Sequence, residues 1–311
     1  MALSSAVFFL GFVMLTEPAT SPPTSGKQNI YGALVGMIMA PQMHVLNFYT
    51  SPEIAIIIGN IFAYIVSPKQ KLFPILKEKF SIATDVLEFA FDPGAKFAYQ
   101  PGQYMEFTLP HAHGDSRGDR RYFTLASSPT ESDIKVGVKF YEQGSSYKRA
   151  MLDMDRETPI VAAQLAGSFV LPRNASKKLA FIAGGIGITP FRSMTKFMID
   201  TNATRDVILL YGARTARDIA YKPVFDEARQ KVGMQTVYAL SGEGRSMALS
   251  QANVYFGQID ETLIKQAIPD YKDRIFFISG THPMVAATSK TLRQLGIPHR
   301  QVKTDFFPGY A

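Results

Sequence analysis

The sequence predicts three parts in order: a short α-helical transmembrane segment over 1–71, an antiparallel β-barrel over 72–173, and an α/β domain with a parallel sheet over 174–311. Three observations predict them. Formal charge is almost absent before residue 69, apolar residues then recur with a loose period of two between turn signals, and from Leu179 strand-like runs alternate with helix-like ones.

Length and composition bound the rest. At 311 residues the chain is too long for one small core and suits about two domains with an appendage. It carries 33 basic and 26 acidic residues, and Glu17, Lys27 and Glu53 are the only charges up to Pro68, so the basic excess belongs to Lys69 onwards. That balance favours phosphate-bearing ligands or an anionic membrane surface. No Lys/Arg run and no interleaved aromatic motif accompanies it, so nucleic acid is not an expected partner. Cysteine is absent, which excludes disulfides, Cys-ligated zinc, iron-sulfur clusters and c-type haem attachment in these residues. Of the five histidines only His44 lies in an apolar stretch, so a bis-His haem between membrane helices cannot form within one chain.

Ala2 to Leu15 is uncharged and apolar, and Thr16 to Gly26 breaks any helix with its prolines. As a helix the first stretch rises only about 21 Å against about 30 Å of hydrocarbon. Ile30 to Tyr49 offers a longer uncharged run interrupted by Pro41, and Ile54 to Val66 follows a Ser51-Pro52-Glu53 turn. Three membrane segments are expected. Lys27 lies after the first and Lys69, Lys71, Lys77 and Lys79 after the third, so the positive-inside rule predicts a multi-pass protein of the cell membrane with the later domains cytoplasmic. Met14 to Pro22 and the apolar helices after it resemble the last helices of the flavin-carrying membrane subunit shared by the sodium-translocating NADH:quinone oxidoreductase and the Rnf complex. The resemblance covers roughly Met1 to Leu72 and implies a larger membrane complex. The upstream motif whose threonine carries FMN in that family is not in this sequence.

Leu72 to Leu109 alternates loosely, with a turn at Asp92-Pro93-Gly94, and Arg121 to Pro129, Ile134 to Tyr141 and Pro159 to Ala163 continue a small antiparallel barrel. Arg121, Phe123 and Thr124 stand at steps 0, 2 and 3, which on an extended chain puts Arg121 and Phe123 on one face. A guanidinium that can fork onto a pyrophosphate, a ring that can lie on an isoalloxazine and a hydroxyl that can reach a ring nitrogen could hold a flavin. The same residues also suit a plain surface strand. Gly144, Ser145 and Ser146 open a predicted helix running to Met154, either as a pyrophosphate cradle of free amides or as an ordinary serine cap.

The α/β part is predicted from strands at Leu179 to Ala183, Val207 to Gly212, Gln235 to Leu240 and Arg274 to Ser279, interleaved with four helical stretches. The turn Gly184-Gly185-Ile186-Gly187-Ile188-Thr189-Pro190 leads from the first strand into the first helix, where a dinucleotide can approach the backbone. Ser279-Gly280-Thr281 forms a second strand-to-helix turn, and the chain ends Asp305-Phe306-Phe307-Pro308-Gly309-Tyr310-Ala311.

Taken in order, Arg121-x-Phe123-Thr124-x-x-Ser127, Gly144-Ser145-Ser146, Gly167-Ser168-Phe169, the Gly184 to Pro190 turn, Tyr211-Gly212-Ala213-Arg214, Ser279-Gly280-Thr281 and the Asp305 to Tyr310 tail resemble the ferredoxin-NADP reductase superfamily. The match covers about Leu72 to Ala311. It implies an FAD-binding barrel followed by a nucleotide-binding α/β domain. It further implies that Arg121 and the amides near Ser145 and Ser146 hold the FAD pyrophosphate, that Phe123 flanks the isoalloxazine, and that Thr124 approaches N5. Ser127 and Gly144 join the flavin set. The turn carrying Gly184, Gly185, Gly187, Thr189 and Pro190, together with Arg214 and Gly280, receives the nicotinamide dinucleotide, and Phe307 is a further cofactor-binding residue. Two residues depart from the family pattern: Phe123 replaces the usual tyrosine, and Ser279 replaces the usual cysteine.

Hydride transfer needs the nicotinamide carbon about 3 to 3.5 Å from flavin N5, so the protein's task is to position two rings. Thr124, Ser279 and Asp305 are the polar groups expected around that point. The expected function is an FAD-dependent oxidoreductase that takes electrons from NADH, or NADPH, and passes them to a membrane-bound acceptor such as quinone or to a partner protein. Alternatives are a non-catalytic docking subunit of an electron-transport complex and a flavin or ferric reductase. Arg214 and Arg217 after the second α/β strand would suit a 2′-phosphate, yet Asp218 follows at once, and the expectation is NADH.

Overall fold

The computed structural model describes residues 21–39, 44–45, 48–49, 51–67, 71–242 and 253–307. The chain divides into two compact units, residues 1–71 with 163–168 and residues 72–162 with 169–311. The expected segment Ala2 to Leu15, and Met14 to Thr20 of the membrane-subunit resemblance, lie outside the described residues.

In the first unit α1 (Ser25–Ile38) packs on α2 (Pro52–Val66). The Ser51 hydroxyl caps α2 by accepting from the Ile54 amide, and Pro52 occupies its first turn, where no N–H is needed. Tyr31 and Val35 bury themselves with Ala55 and Ala63, and Gly59 permits the approach, since a Cβ there would lie 2.5 Å from Val35 Cγ2. Tyr31 donates to Asn60 Oδ1 at 3.1 Å. The long run expected over Ile30 to Tyr49 is divided: α1 stops at Ile38, and β1 (His44–Val45) pairs antiparallel with β2 (Phe48–Tyr49). With 14 and 15 residues, α1 and α2 rise about 21 and 22 Å, short of the roughly 30 Å of hydrocarbon. Among the described residues no helix is long and apolar enough to cross a membrane. This overturns the transmembrane segment and the multi-pass placement in the cell membrane that the apolar composition suggested.

The strands that follow residue 71 are at first antiparallel. β3 (Ile75–Ala83), β4 (Val86–Asp92) and β7 (Ile134–Lys139) form one sheet, and β6 (Arg120–Thr124), β5 (Tyr104–Thr108) and β8 (Val161–Ala166) another. Alternation along these strands buries Phe89, Phe91, Met105, Phe107, Val136 and Val138. β5 and β6 pair from Tyr104 with Thr124 to Thr108 with Arg120, which fixes Arg121 and Phe123 to one face. α3 (Ser146–Asp153) follows β7, and the buried Tyr147 hydroxyl ties it to the Phe107 carbonyl of β5 at 3.0 Å.

A six-stranded parallel sheet follows, in the order β12 (Val254–Phe256), β11 (Gln235–Leu240), β10 (Val207–Ala213), β9 (Leu179–Gly184), β13 (Ile275–Thr281) and β14 (Val302–Phe307). Its faces are covered by α4 (Thr189–Asp200), α5 (Lys222–Lys231), α6 (Glu261–Ala267) and α7 (His282–Gln294). Phe181, Phe191, Met194, Leu209 and Phe277 bury one face, and Ile182, Leu210, Ile264, Phe276 and Leu292 the other. β12 and β14 were not among the expected strands. β14 carries Lys303, Thr304 and Asp305 in a row, which masks its alternation, and it is the sheet edge, where polar residues are tolerated.

The strand order reverses at β9, with β10 on one side and β13 on the other, and a ligand crevice belongs at that point beyond the strand ends. The glycine turn lies there as a short 3₁₀ segment, Gly185–Ile188, with Gly185 at φ 52°, and α4 starts at Thr189 with Pro190 in its first turn. Gly187 presses on the end of β13: a Cβ would lie 2.4 Å from the Ser279 carbonyl oxygen and 2.6 Å from Gly280 backbone. Gly187→Ala should therefore lower the thermal midpoint, by the roughly 1–3 kcal/mol that overpacking costs. An unchanged midpoint would show that turn and strand do not touch so closely.

Candidate functional site

Positive charge gathers at the amino end of α3. Ser145 caps the helix, its hydroxyl accepting from the Lys148 amide, and both Ser145 and Ser146 are buried. Gly144 precedes them with its own Cβ position 3.3 Å from the Tyr141 carbonyl. The Ser146 amide donates to Asp115 Oδ2 at 3.0 Å, and the Ser146 hydroxyl meets His111 Nε2 at 2.9 Å and the Asp115 amide at 3.0 Å. Arg117 and then the Ser146 amide hold the Asp115 carboxyl well below the usual range. Arg121 lies 5.0 Å over the Tyr147 ring and gives Nη1 to the Arg117, Gly118 and Arg120 carbonyls. Its Nη2 is buried and has no partner among the described residues. Burial, and then the charges of Arg121 and Arg117, depress the Lys148 ammonium to about 8.

Such a place wants an anion. An orphaned guanidinium nitrogen, a lysine whose charge its cationic neighbours oppose, and a helix amino end fit a pyrophosphate. Phe123 continues the same face, its ring 6.1 Å from Tyr147 and 5.8 Å from Phe107.

The other end of β6 reaches the second cluster. Thr124 is 5% exposed and pairs with Tyr104 of β5. Ser279 pairs with Asp305 across β13 and β14, and the Ser279 hydroxyl is buried without a partner among the described residues. Burial, and then the Asp305 charge, raise the Tyr104 phenol, so Asp305 and Tyr104 are electrostatic neighbours. Burial pushes the Asp305 carboxyl up to about 6. Thr124 is thus paired with Tyr104 and Ser279 with Asp305, and Tyr104, a residue the sequence reading missed because only the β5–β6 register reveals it, feels the Asp305 charge.

Ser127 is placed differently. It is fully buried, and its hydroxyl accepts from the Lys135 amide at 3.0 Å and meets the Tyr99 hydroxyl at 2.9 Å, so it holds the loop after β6. Thr189 is buried as well, its hydroxyl donating to the Ile186 carbonyl at 3.2 Å inside the glycine turn.

A cavity of about 900 Å³ opens beyond the sheet, lined by Gly184, Gly185, Arg214, Arg217 and Met284 among others. Gly184 and Gly280 both face Met284: a Cβ would lie 2.3 and 2.6 Å from its sulfur, respectively. Arg214 and Arg217 are exposed. Asp218 is not turned to the cavity's cations but takes the Thr215 amide and hydroxyl, each at 2.9 Å. The Phe307 backbone pairs with Thr281.

The oxidoreductase NAD-binding domain family matches residues 181–290. A glycine betaine monooxygenase reductase subunit of Chromohalobacter salexigens is 27% identical over 217 residues, which cover 68% of this chain and 57% of that protein. The stachydrine N-demethylase reductase subunit Stc4 of Rhizobium meliloti is 29% identical over 237 residues, 74% of this chain and 65% of that one. The crystal structure of a ferredoxin NADP+ reductase from Neisseria gonorrhoeae with bound FAD and NADP shares the fold, with a TM-score of 0.63 at 16% identity over 77% of this chain and 99% of that one. The chain thus has the fold of that reductase, an antiparallel barrel followed by an NAD-binding α/β domain. It spans between about half and two thirds of the length of the curated relatives it matches.

Arg121→Ala removes a guanidinium whose buried Nη2 has no partner among the described residues. FAD should then bind roughly ten- to a hundredfold more weakly, the size of a lost charge-assisted contact of about 1.5–3 kcal/mol; an equilibrium titration that finds full affinity would remove Arg121 from the site. Asp305 makes a second prediction. Its folded pKa of about 6 lies above the ordinary 3.8, so the folded state binds the proton more tightly and stability falls as pH rises from about 4 through 6. Thermal midpoints of Asp305→Asn should lose that part of the decline, and an unaltered pH profile would contradict its burial.

Proposed function

We propose that the reductase oxidises NADH at the crevice between β9 and β13 and delivers the electrons to a separate partner protein, an oxygenase being the class its relatives serve. The single observation that supports this best is the close packing of the glycine turn on the end of β13, where a Cβ at Gly187 would lie 2.4 Å from the Ser279 carbonyl oxygen and the Ser279 hydroxyl is buried without a partner among the described residues.

FAD, when bound, accepts a hydride and gives up electrons singly, which joins a two-electron donor to a one-electron acceptor. The chain's own residues do the rest. Arg121, the Ser145 amide and Lys148 would hold the pyrophosphate, and Phe123 would flank the ring system. The Thr124 hydroxyl would donate to the ring nitrogen that exchanges hydride. The buried Ser279 hydroxyl supplies a partner for the nicotinamide where the family has a thiol. Asp305, protonated below about 6, can hold a proton near Tyr104 in a site shielded from water. With no cysteine in these residues, any iron-sulfur relay would lie outside them.

Anaerobic titration of purified protein tests the reading: bound FAD should bleach on one equivalent of NADH. Flavin-free protein that cannot be reconstituted would leave only a docking role, and faster turnover with free iron chelates than with any protein acceptor would favour a ferric reductase. For the nucleotide, Arg214→Ala should weaken NADH and NADPH alike by removing a shared phosphate contact. A tenfold preference for NADPH that Arg214→Ala or Arg217→Ala abolishes would contradict the choice of NADH.

A further inference from the structure

The loop that leaves β6 is bolted to the helix that leaves the glycine turn. Arg192, 5% exposed, stands two residues after Pro190, and it gives Nη1 to the Ala126 carbonyl at 3.0 Å and Nη2 to Glu131 Oε1 at 3.0 Å, while Nη1 also meets Glu131 Oε2. Ala126 is itself two residues after Thr124. Glu131 is fixed in turn by the Ser128 amide at 2.7 Å and Lys135 Nζ at 3.0 Å. The next residue of α4, Ser193, donates its hydroxyl to the Ser127 carbonyl, and Thr130 reaches Asp200 at the far end of the helix. The guanidinium also lies 5.7 Å from the Tyr221 ring.

A buried, bidentate ion pair is weak evidence of net stability, because desolvation offsets the attraction. Its geometry is nevertheless stiff, and here both ends are attached within a few residues of groups that must meet. We propose that Arg192 and Glu131 are positioning residues, which set the spacing between the flavin carried by β6 and the nicotinamide carried by the glycine turn. The inference rests on the reading under Proposed function, and it deepens it by naming what aligns the two rings. Burial alone would raise the Glu131 carboxyl, but Arg192, the Ser128 amide and Lys135 bring it down to about 2, so the pair stays ionised at neutral pH.

The test uses the full chain as Arg192→Lys, which keeps the charge but loses the fork, and as the apolar double variant Arg192→Met with Glu131→Leu. Two quantities are read: flavin reduction in a single turnover at saturating NADH, and amide hydrogen exchange of 125–131 and 185–192. In Arg192→Lys reduction should slow by roughly ten- to a hundredfold, the effect of displacing reacting groups by about 1 Å. FAD and NADH dissociation constants should stay within about twofold, and exchange should quicken in both segments together while β9 and β10 keep their protection. The double variant should regain thermal stability without regaining the rate, which a merely structural pair would not do. Reduction within about twofold of wild type in Arg192→Lys, exchange that rises in one segment only, or a double variant that recovers rate along with stability would each overturn the proposal. If the wild type takes up no FAD, the functional reading fails by itself, and the exchange measurement, which needs no flavin, decides whether the pair couples the segments.

Discussion

Two strand ends that belong to different sheets have to finish at one point, and the second unit is built around that constraint. β6 ends at Thr124 in an antiparallel barrel, whereas β13 ends at Thr281, just past Ser279 and Gly280, in a parallel sheet. Nothing in either sheet's own hydrogen bonding brings them together. Close packing does so on one side, where a Cβ at Gly137 of β7 would lie 3.0 Å from Thr189 Cγ2 and 3.2 Å from Ile186 Cδ1 of the glycine turn, and buried polar contacts do so on the other, through Arg192 and Ser193. A site that positions two planar rings has need of both, since its chemistry depends on distance more than on acids and bases.

The electrostatics divide the site into two regions. At the amino end of α3 the cations outnumber the anions, and Asp115 takes the Ser146 amide that a phosphate oxygen would otherwise approach. At the far end stand two hydroxyls and a carboxyl whose burial raises it to about 6, and no cation is grouped with them. A flavin dinucleotide is polar in the same direction, with charge at its pyrophosphate and an uncharged ring system. Charge matching favours the pyrophosphate at the α3 end.

Much of this was legible in the sequence because turns and strand ends constrain residue type locally. Arg121, Phe123 and Thr124 keep their steps along one strand, and the glycines at 184, 185 and 187 stand where a strand gives way to a helix, so short-range spacing reveals them. Long-range pairings were not legible. Tyr104 enters through its register with Thr124, Asp305 through an edge strand whose polar run hides its alternation, and Glu131 with Arg192 through a contact between residues far apart in the chain. Ser127 matched a motif yet is spent on Tyr99 and Lys135. The apolar run from Ile30 misled for a related reason: hydropathy does not distinguish one long helix from a short helix followed by paired strands, and α1 stops at Ile38.

The most direct measurement is a crystal structure of the reductase with FAD. The account predicts density for the pyrophosphate at the Ser145 amide beside Arg121, with the ring system running along Phe123 so that its reactive edge reaches Thr124, Ser279 and Asp305. A flavin bound elsewhere, or one whose ring lies away from Thr124 while Arg121 keeps its contacts to the Arg117, Gly118 and Arg120 carbonyls alone, would contradict it.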